Sequence, residues 1–392
     1  MSDRNEIRKA GRPRWTKRPG AGVSGWSLEV VKTLKDYRLR GANSAAAVAV
    51  GLAGAEWYAA PIPRKEMKEL MKRSDGPAIR DTLIWFAALG ASGTALYMTW
   101  STLWAIPALL IYSILYGSCG DSRWHECGHG TAFKTRWLNV AVYHLASFMI
   151  LRNGTLWRWS HSRHHTDTIV VGRDPEIALT RPPNLMGAFL DLLYLKTGFS
   201  ELRKMARHMF GVMSEEEKDF VPAMERWKVF LEARLQALLL TAVVVGAVAI
   251  QSWLPLMFVG LPTFFGAWVD VVLFGYTQHA GLAEDVIDHR LNTRTVRLNP
   301  LFRFIYWNMN FHLEHHMFPM VPYHALPKLH EMMKDDSPAP YPSLWAAWRE
   351  IAPALWRQRR DPTYFVVRTL PPSARPIAEF APQNASLAGA MS

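Results

Sequence analysis

Apolar residues gather in four long blocks along the chain. Thr82 to Trp100 carries no charged residue, and Thr102 to Cys119 continues uncharged almost at once. A second pair, Leu235 to Ile250 and Leu254 to Tyr276, is interrupted only by Asp270. Because about 20 apolar residues of helix span a bilayer, this pattern predicts an all-α integral membrane protein with four transmembrane helices in two hairpins.

Basic residues lie on one side of the predicted hairpins. The two tips, near Ser101 and between Gln251 and Pro255, contain no Lys or Arg. Basic side chains instead precede each hairpin, at Arg64, Lys65, Lys68, Lys72, Arg73, Arg80, Arg203, Lys204 and Arg207. By the positive-inside rule, that side and both termini are cytoplasmic. We expect the bacterial inner membrane as the location.

Three other apolar segments are too short to span a bilayer. Leu138 to Leu151 and Leu185 to Phe199 are expected to form helices at the membrane interface. Ser44 to Ala55 is expected to be an interfacial or buried helix, and membrane entry stays open for it. The chain is therefore divided into a basic tail (1–43), a membrane domain (44–369) and a Pro-, Ala- and Ser-rich tail (370–392), which composition predicts to be disordered.

Composition excludes a soluble secreted protein. The 392 residues are 49 % hydrophobic and only 20 % charged, and two cysteines cannot build a disulfide framework. The formal charge is +12. Topology already accounts for the basic residues, so no nucleic acid partner is expected.

Nine of the 14 histidines fall into four short motifs, WHECGHG, HSRHH, YTQHAGL and HLEHH. They are His125, His129, His161, His164, His165, His279, His312, His315 and His316. Helix positions i, i+3 and i+4 share one face, so such imidazoles can reach a common metal ion. All four motifs lie at the predicted cytoplasmic ends of the spans or in the cytoplasmic segments. The other five histidines lack this spacing and are read as ordinary surface or hydrogen-bonded residues.

The number of histidines exceeds the needs of one metal ion. A structural zinc site takes four ligands, and a catalytic one usually takes three with water. Nine imidazoles divide naturally into four or five for each of two metals, with positions left for oxygen species. Two irons at the mouth of a membrane helix bundle suggest oxidation of an apolar substrate by O₂.

These residues closely resemble the membrane fatty acid desaturase and hydroxylase superfamily, with its three histidine boxes. HECGH is similar to the first box, HSRHH to the second and HLEHH to the third, and YTQHAGL resembles the segment that supplies a further histidine ligand. The likeness covers roughly Asp81 to His330. It implies a cytoplasmic helical cap that carries the boxes above four membrane helices, a non-haem di-iron centre held by the nine histidines, and desaturation of an acyl chain with O₂.

Electrons for such a reaction must come from outside the chain. The sequence has no His-Pro-Gly-Gly motif of a fused cytochrome b5 domain, no G-x-G-x-x-G loop, and too few cysteines for a ferredoxin. An external ferredoxin or cytochrome with its reductase is therefore expected, beside a membrane lipid or acyl substrate.

Three alternative functions stay open. The first is a di-iron hydroxylase or monooxygenase of the same superfamily acting on an alkyl or small polar substrate, similar to a rhizopine oxygenase. The second is a membrane zinc protease, since His125 to His129 is a literal HExxH motif with Glu126 as general base. The third is a metal carrier or storage protein.

Several residues near the boxes have two readings. Glu126, Asp167 and Glu314 are either hydrogen-bond partners of metal-bound histidines or ordinary polar residues. Asp270 lies nine residues before His279, about 13 Å along a helix, and either lines a substrate tunnel or packs helices. Gly172 to Glu176 predicts a turn, with head-group recognition as its alternative. Cys127 is expected to be a small buried residue.

Overall fold

A computed structural model of the protein describes residues 14–17, 26–29 and 35–377. Within these residues the chain is helical, as predicted, apart from one antiparallel ribbon of β1 (Arg14–Lys17) and β2 (Trp26–Glu29). The helices before residue 210 are α1 (Ala42–Val50), α2 (Arg64–Leu70), α3 (Asp75–Thr99), α4 (Ala105–His129), α5 (Arg136–Met149), α6 (Gly154–Thr166), α7 (Leu185–Leu190) and α8 (Leu195–Met209). Those after it are α9 (Glu215–Phe220), α10 (Arg226–Ala249), α11 (Leu254–Phe258), α12 (Leu261–Gly266), α13 (Tyr276–His279), α14 (His289–Asn292), α15 (Pro300–Ile305), α16 (His312–Met317), α17 (Leu326–Met333) and α18 (Leu344–Gln358). Two 3₁₀ turns (Asp191–Leu193, Ala223–Glu225) and a π-helix (Val269–Gly275) complete the description.

Most of the two predicted tails, 1–43 and 370–392, lies outside the described residues, and the domain boundaries stay predictions. Residues 371–377 are described and contact the rest of the protein. Arg290, whose side chain is buried, donates to the carbonyl oxygens of Arg375 and Pro376, both at 3.1 Å.

The first predicted hairpin consists of α3 and α4, which pack together along their length. The Trp85 indole donates to the Leu115 carbonyl oxygen at 2.7 Å and joins the two helices. Leu83 and Met98 project from α3 with 63 % and 73 % of their surface exposed, as in a helix that faces lipid. The second half of α4 is different, because residues 116–124 are buried on every side although they include Asp121 and Arg123.

Among the described residues, two helical stretches are long and apolar enough to cross a membrane by length and composition, Arg64–Thr99 and Ala223–Ala249. They contain α3 and α10, the first helices of the two predicted hairpins. The other two predicted spans do not meet this criterion, so the four-span topology stays a prediction.

The last predicted span is not the single helix that its hydropathy indicates. It is divided into α11, α12, the π-helix and α13. Gly260 adopts a φ of 90°, a left-handed conformation that ends the first piece. Pro262, which has no N–H to donate, then starts the next piece.

The interruption lets α12 approach α4 very closely. A Cβ atom built on Gly266 would lie 1.7 Å from the Ser113 carbonyl oxygen, so a side chain is excluded there. The Ser118 hydroxyl donates to the Gly266 carbonyl oxygen at 2.6 Å and accepts from the Asp270 N–H at 3.0 Å. The contact fixes Asp270 against the buried half of α4.

The shorter apolar segments form short helices. Leu138 to Leu151 corresponds to α5, and Leu185 to Phe199 is divided between α7 and the start of α8. Ser44 to Ala55 contains α1, which has nine residues and ends at Gly51 with a φ of 85°. A helix of that length cannot span a bilayer, and its Ala47 packs against Val170.

Candidate metal centre

Four helices bring the nine singled-out histidines together. His125 and His129 lie in the last turns of α4, and HSRHH ends α6. His279 ends the short helix α13, and HLEHH forms most of α16. Each motif is helical, so its i, i+3 and i+4 positions lie on one face, as the sequence predicts.

The nine rings form two groups, in each of which the nearest nitrogen atoms all lie within 4.8 Å of one another. The five-histidine group is His125, His129, His161, His165 and His315. The four-histidine group is His164, His279, His312 and His316. The two HxxHH motifs are shared between the groups, since each places its i and i+4 rings in one group and its i+3 ring in the other.

Nitrogen atoms converge at the centre of each group. In the five-histidine group, Nε2 of His161 lies 3.1 Å from Nε2 of both His129 and His165. In the four-histidine group, Nε2 of His312 lies 3.0 Å from that of His316 and 3.2 Å from that of His279. Both ring nitrogens of His125 and of His315 are buried without a hydrogen-bond partner among the described residues. Unpartnered imidazole nitrogens that face one point fit metal ions.

Burial keeps most of these imidazoles neutral, which is the form that binds metal. It lowers the pKa of His125, His161 and His315 well below the usual value, and neighbouring histidine charges add to the effect. For His129, burial and then the charge of His164 lower the pKa to about 4.

His164 differs because a carboxylate contacts it. Burial alone would lower the pKa of its imidazole, but the charge and hydrogen bond of Asp174 outweigh burial, so the pKa is raised. The nearest atoms, His164 Nδ1 and Asp174 Oδ2, lie 2.8 Å apart.

Outer nitrogens of four rings are held by the surrounding protein. Nδ1 of His161 lies 2.7 Å from Oε2 of Glu176, and Nδ1 of His279 lies 2.8 Å from the Asn292 carbonyl oxygen. Asp174 holds His164, and the Thr168 hydroxyl lies 3.3 Å from Nδ1 of His316. Metal-bound histidines usually donate their second N–H to such oxygens, which fixes the tautomer and the ring orientation.

The carboxylates singled out in the sequence are therefore not the ones that contact the rings. Glu126 accepts from Thr131 and from the Tyr323 N–H, at 2.7 and 3.1 Å. Asp167 pairs with Arg163, and Glu314 pairs with His330 outside the two groups, both at 2.5 Å. Cys127 is buried as predicted, at 1 % exposed.

The contacting acids come from the Gly172 to Glu176 segment. It is the predicted turn, with Gly172 at a φ of 77°, and it folds Asp174 and Glu176 back onto α6. Two acidic residues so soon after the HSRHH motif are the sequence feature that could have indicated these contacts. The direction in which their side chains point, however, depends on the path of the turn.

The sequence does not predict that His289 lies beside the four-histidine group. Its buried ring stacks on Trp57, with centroids 4.2 Å apart, and its centroid lies 5.2 Å from that of His316. A loop separates His289 from His279, so no helical spacing in the sequence links His289 to the histidine motifs.

A cavity of about 660 Å³ adjoins both groups. His125 and His161 of the five-histidine group line it, and so do His164, His279 and His312 of the four-histidine group. Asp270 also lines the cavity, which agrees with the interpretation that it lines a substrate tunnel. Its backbone N–H also donates to the Ser118 hydroxyl, so the residue contributes to helix packing as well.

Fold and site together define a helical protein with apolar helices and a buried polyhistidine centre beside a cavity. Residues 98–348 match the profile of the fatty acid desaturase family, and the chain belongs to that family. Membership implies an oxidoreductase of the desaturase type, from a family associated with membranes. Such desaturases generally depend on two irons, and the two histidine groups could bind them.

Curated relatives agree with this membership. A protein of Sorghum bicolor described as a probable fatty acid desaturase is 24 % identical over 269 residues, which cover 61 % of this chain and 65 % of the relative. An endoplasmic-reticulum acyl-lipid omega-3 desaturase (cytochrome b5) of Arabidopsis thaliana is 25 % identical over 301 residues, 68 % of this chain and 72 % of the relative. A chloroplastic sn-2 acyl-lipid omega-3 desaturase (ferredoxin) of the same plant is 25 % identical over 284 residues, 65 % of this chain and 60 % of the relative. The chain thus spans about two thirds of the length of these relatives.

Proposed function

We propose that this protein is an O₂-dependent oxidoreductase whose nine histidines hold two iron ions. Its substrate would be oxidised at an unactivated carbon, either by loss of two hydrogens or by replacement of one hydrogen with a hydroxyl group. The observation that carries the proposal is the convergence of nine imidazoles, five buried and four half-buried, into two groups with nitrogen atoms within 4.8 Å of one another. His125, His129, His161, His165 and His315 would hold one ion. His164, His279, His312 and His316 would hold the other.

When bound, the two irons would supply O₂ activation, the chemistry that imidazole side chains lack. The protein would contribute positioning. Glu176 and Asp174 hold the rings of His161 and His164, and Trp157 stacks on His161 with centroids 4.1 Å apart. Such oriented, buried ligands restrict the geometry of the site before any ion arrives.

The first candidate substrate is a fatty acyl chain, which would be desaturated. The overall change would convert –CH₂–CH₂– to –CH=CH– while O₂, two electrons and two protons give two waters. Family membership and the names of the plant relatives support this candidate. The carrier of the chain and the position of the double bond are not part of the proposal.

The second candidate reaction is hydroxylation of an alkyl or small polar substrate, similar to a rhizopine oxygenase. In it C–H becomes C–OH while O₂, two electrons and two protons give one water. One observation favours it: charged side chains such as Asp121, Arg152 and Asp270 line the cavity beside the histidines. An acyl chain gains nothing from such groups.

An external ferredoxin or cytochrome with its reductase would supply the electrons. Two relatives carry cytochrome b5 or ferredoxin in their names. The formal charge of +12 would attract an acidic donor.

The proposed location is the bacterial inner membrane, with four spans and with the site and both termini on the cytoplasmic side. Two helical stretches of spanning length and the basic residues before each hairpin support this arrangement. The membrane domain would extend over 44–369.

The rival functions receive less support. A zinc protease would use one metal ion with Glu126 as its general base, which leaves the second histidine group without a role. A metal carrier would place ligands along a path through the membrane, whereas these rings gather at helix ends.

The test combines metal analysis with a lipid profile. The purified chain should hold about two irons, and His315→Ala and His316→Ala, one from each group, should each lower that number. The matched control is His144→Ala, an exposed histidine outside both groups. One zinc per chain, or full iron in both variants, would contradict the proposal.

A bacterial host that expresses the chain with a compatible donor should show new double bonds or hydroxyls in its acyl chains by mass spectrometry. The His315→Ala host should lack them. An unchanged profile with iron bound would favour the second candidate substrate.

A further inference from the structure

An open apolar groove lies on the exposed face of α18. Its volume is about 680 Å³, and six of its seven lining residues are apolar or tryptophan, among them Leu273, Trp345 and Trp348. It shares no lining residue with the cavity beside the histidines. The groove on α18 is therefore a separate feature of the molecule, which the proposed function does not use.

The sequence of α18 separates a packed face from an exposed one. Ala347, Ile351 and Leu355 recur every four residues and are buried in a cluster with residues of the last apolar segment. Trp345 and Arg349, also four residues apart, are both exposed, Trp345 at 72 %. Because helix positions i and i+4 are neighbours on one face, a tryptophan and an arginine lie side by side along the outside of α18.

The groove continues the apolar surface of the last predicted span. Leu273 lies close to the end of that span at Tyr276, and its carbonyl oxygen accepts the indole N–H of Trp348 at 3.0 Å. Helix α7, which belongs to a segment that the sequence predicts at the membrane interface, packs into the same cluster as α18 through Leu185 and Ala188. On the proposed topology, α18 therefore lies at the cytoplasmic boundary of the bilayer, where tryptophan is enriched.

Arg349 is the charged residue in the lining of the groove. Its neighbour Glu350 pairs instead with Arg294, at 3.2 Å. Within residues 14–17, 26–29 and 35–377, no carboxylate lies within ion-pair distance of the Arg349 guanidinium. A guanidinium binds phosphate oxygens through parallel N–H groups, so a phosphate would supply the partner that the protein does not.

The end of α18 is also basic. Arg357, Arg359 and Arg360 are exposed, and the Arg359 guanidinium lies 4.9 Å from the ring centroid of Trp356. Clustered basic residues at a membrane surface attract lipids with a net negative charge. In phosphatidylcholine the quaternary ammonium group cancels the charge of the phosphate. The surroundings of the groove therefore favour an anionic lipid over a zwitterionic one.

The apolar lining distinguishes a lipid from an acidic protein. A soluble anionic partner, such as an acidic electron donor, would pair with Arg349 but would bury its polar surface against tryptophan and leucine side chains, which is costly. A phospholipid satisfies both parts of the groove, because its phosphate meets the arginine while an acyl chain covers the apolar residues.

We propose that the groove on α18 binds an anionic phospholipid of the cytoplasmic leaflet, with its phosphate on Arg349 and one acyl chain against Trp345 and Leu273. This lipid is not the substrate, since the groove and the cavity beside the histidines have separate linings. The inference rests on the membrane placement proposed above and not on the chemistry of the histidine groups.

The test is photolabelling of the full chain in phosphatidylcholine nanodiscs. The discs contain a small fraction of photoactivatable phosphatidylglycerol or photoactivatable phosphatidylcholine with identical acyl chains. Mass spectrometry measures the label on residues 344–353 and on residues 82–99, the lipid-facing part of α3, as an internal reference. Phosphatidylglycerol should label 344–353 at least about fivefold more than phosphatidylcholine does, and the two lipids should label 82–99 equally.

Arg349→Gln should reduce this preference to about twofold or less, because the exposed side chain keeps most of its length but loses the charge that meets the phosphate. Arg360→Gln is the matched control, the same change at an exposed arginine that does not line the groove, and should keep the preference of the unaltered chain. Equal labelling of 344–353 by both lipids in the unaltered chain would overturn the proposal. An unchanged preference in Arg349→Gln, or an equal loss in both variants, would overturn it too.

The reference segment separates the lipid site from the membrane placement. Label on 82–99 without a lipid preference on 344–353 would defeat the lipid site alone, whereas no label on either segment would defeat the membrane placement as well. An acidic ferredoxin in excess should leave the label on 344–353 unchanged, and loss of that label would assign this face to a protein partner instead. The iron content affects none of these outcomes, so the oxidoreductase proposal is tested separately.

Discussion

Glu176 restrains the ring of His161 from outside the five-histidine group. Its Oε2 atom lies 2.7 Å from Nδ1 of His161, and its other oxygen accepts from the Ser160 hydroxyl. Asp174 restrains His164 in the same way, and its Oδ1 atom also accepts the Glu176 N–H at 2.8 Å. One turn therefore orients one ring in each group.

Glu176→Gln should weaken metal binding about 10- to 100-fold while the protein stays folded, because the amide keeps the size of the side chain but loses its charge. Competition with a chelator, read by metal analysis, measures the effect. Glu216→Gln removes a carboxylate at the exposed part of the same cavity and should leave the affinity unchanged. Equal affinities in both variants would mean that Glu176 does not support the site.

At the scale of single residues, the sequence predicts the nine histidines far better than it predicts the residues that hold their rings in place. Helical spacing identifies all nine rings because i, i+3 and i+4 positions converge wherever the helix lies. It does not predict that His164 leaves its box neighbours for the other group. Nor does it predict Asp174 and Glu176, whose contacts depend on a turn with a left-handed Gly172.

At the scale of elements, the contact between α4 and α12 positions one wall of the cavity. Gly266 lies against the backbone of Ser113, and Gly117 lies against that of Ala267, where a Cβ atom would be 2.7 Å from the backbone nitrogen. Two glycines thus let two helix backbones touch. The next residues along the chain carry Asp270 and then His279.

Gly266→Ala should destabilise the protein by about 3 kcal/mol or more, because the added methyl group meets backbone atoms that cannot rotate away. A lower midpoint of denaturant unfolding in detergent would show it. Gly246→Ala in α10 is the control, since a Cβ atom there meets nothing within 4 Å, and alanine favours helix by up to about 1 kcal/mol. Equal midpoints for both variants would contradict the close packing.

Hydropathy predicts α3 and α10 because each is one long apolar helix. The same method is wrong about a continuous helix over Leu254 to Tyr276. Hydropathy averages do not register the backbone of Gly260 or the missing N–H of Pro262, which divide this apolar segment into pieces. The π-helix that holds Asp270 has no signal in a residue pattern.

At the scale of the whole molecule, charge and apolar surface are separated. Apolar side chains such as Leu83 on α3 and Leu238 on α10 are exposed, at 63 % and 64 %. Basic residues gather before the two hairpins instead, at Arg64 to Arg80 and at Arg203 to Arg207. This distribution suits a protein that meets lipid on one surface and a charged partner on another.

Turnover with an acidic ferredoxin should fall several-fold as salt rises from about 50 to 500 mM, because screening weakens attraction to the basic surface. Steady-state oxygen consumption measures it. A small neutral reductant, which no surface charge attracts, should support a rate that salt leaves unchanged. Salt-independent turnover with ferredoxin would argue against steering by this surface.

Sharing of the two HxxHH motifs between the groups has a consequence for assembly. Helices α6 and α16 each contribute rings to both groups. The ligands of one metal ion therefore cannot take their places before the helices that carry the ligands of the other are in position. An ion that orders one set of rings also fixes the helices that carry the second set. Uptake of the first ion should therefore raise the affinity for the next, and loading is expected to be cooperative, with half-filled protein rare.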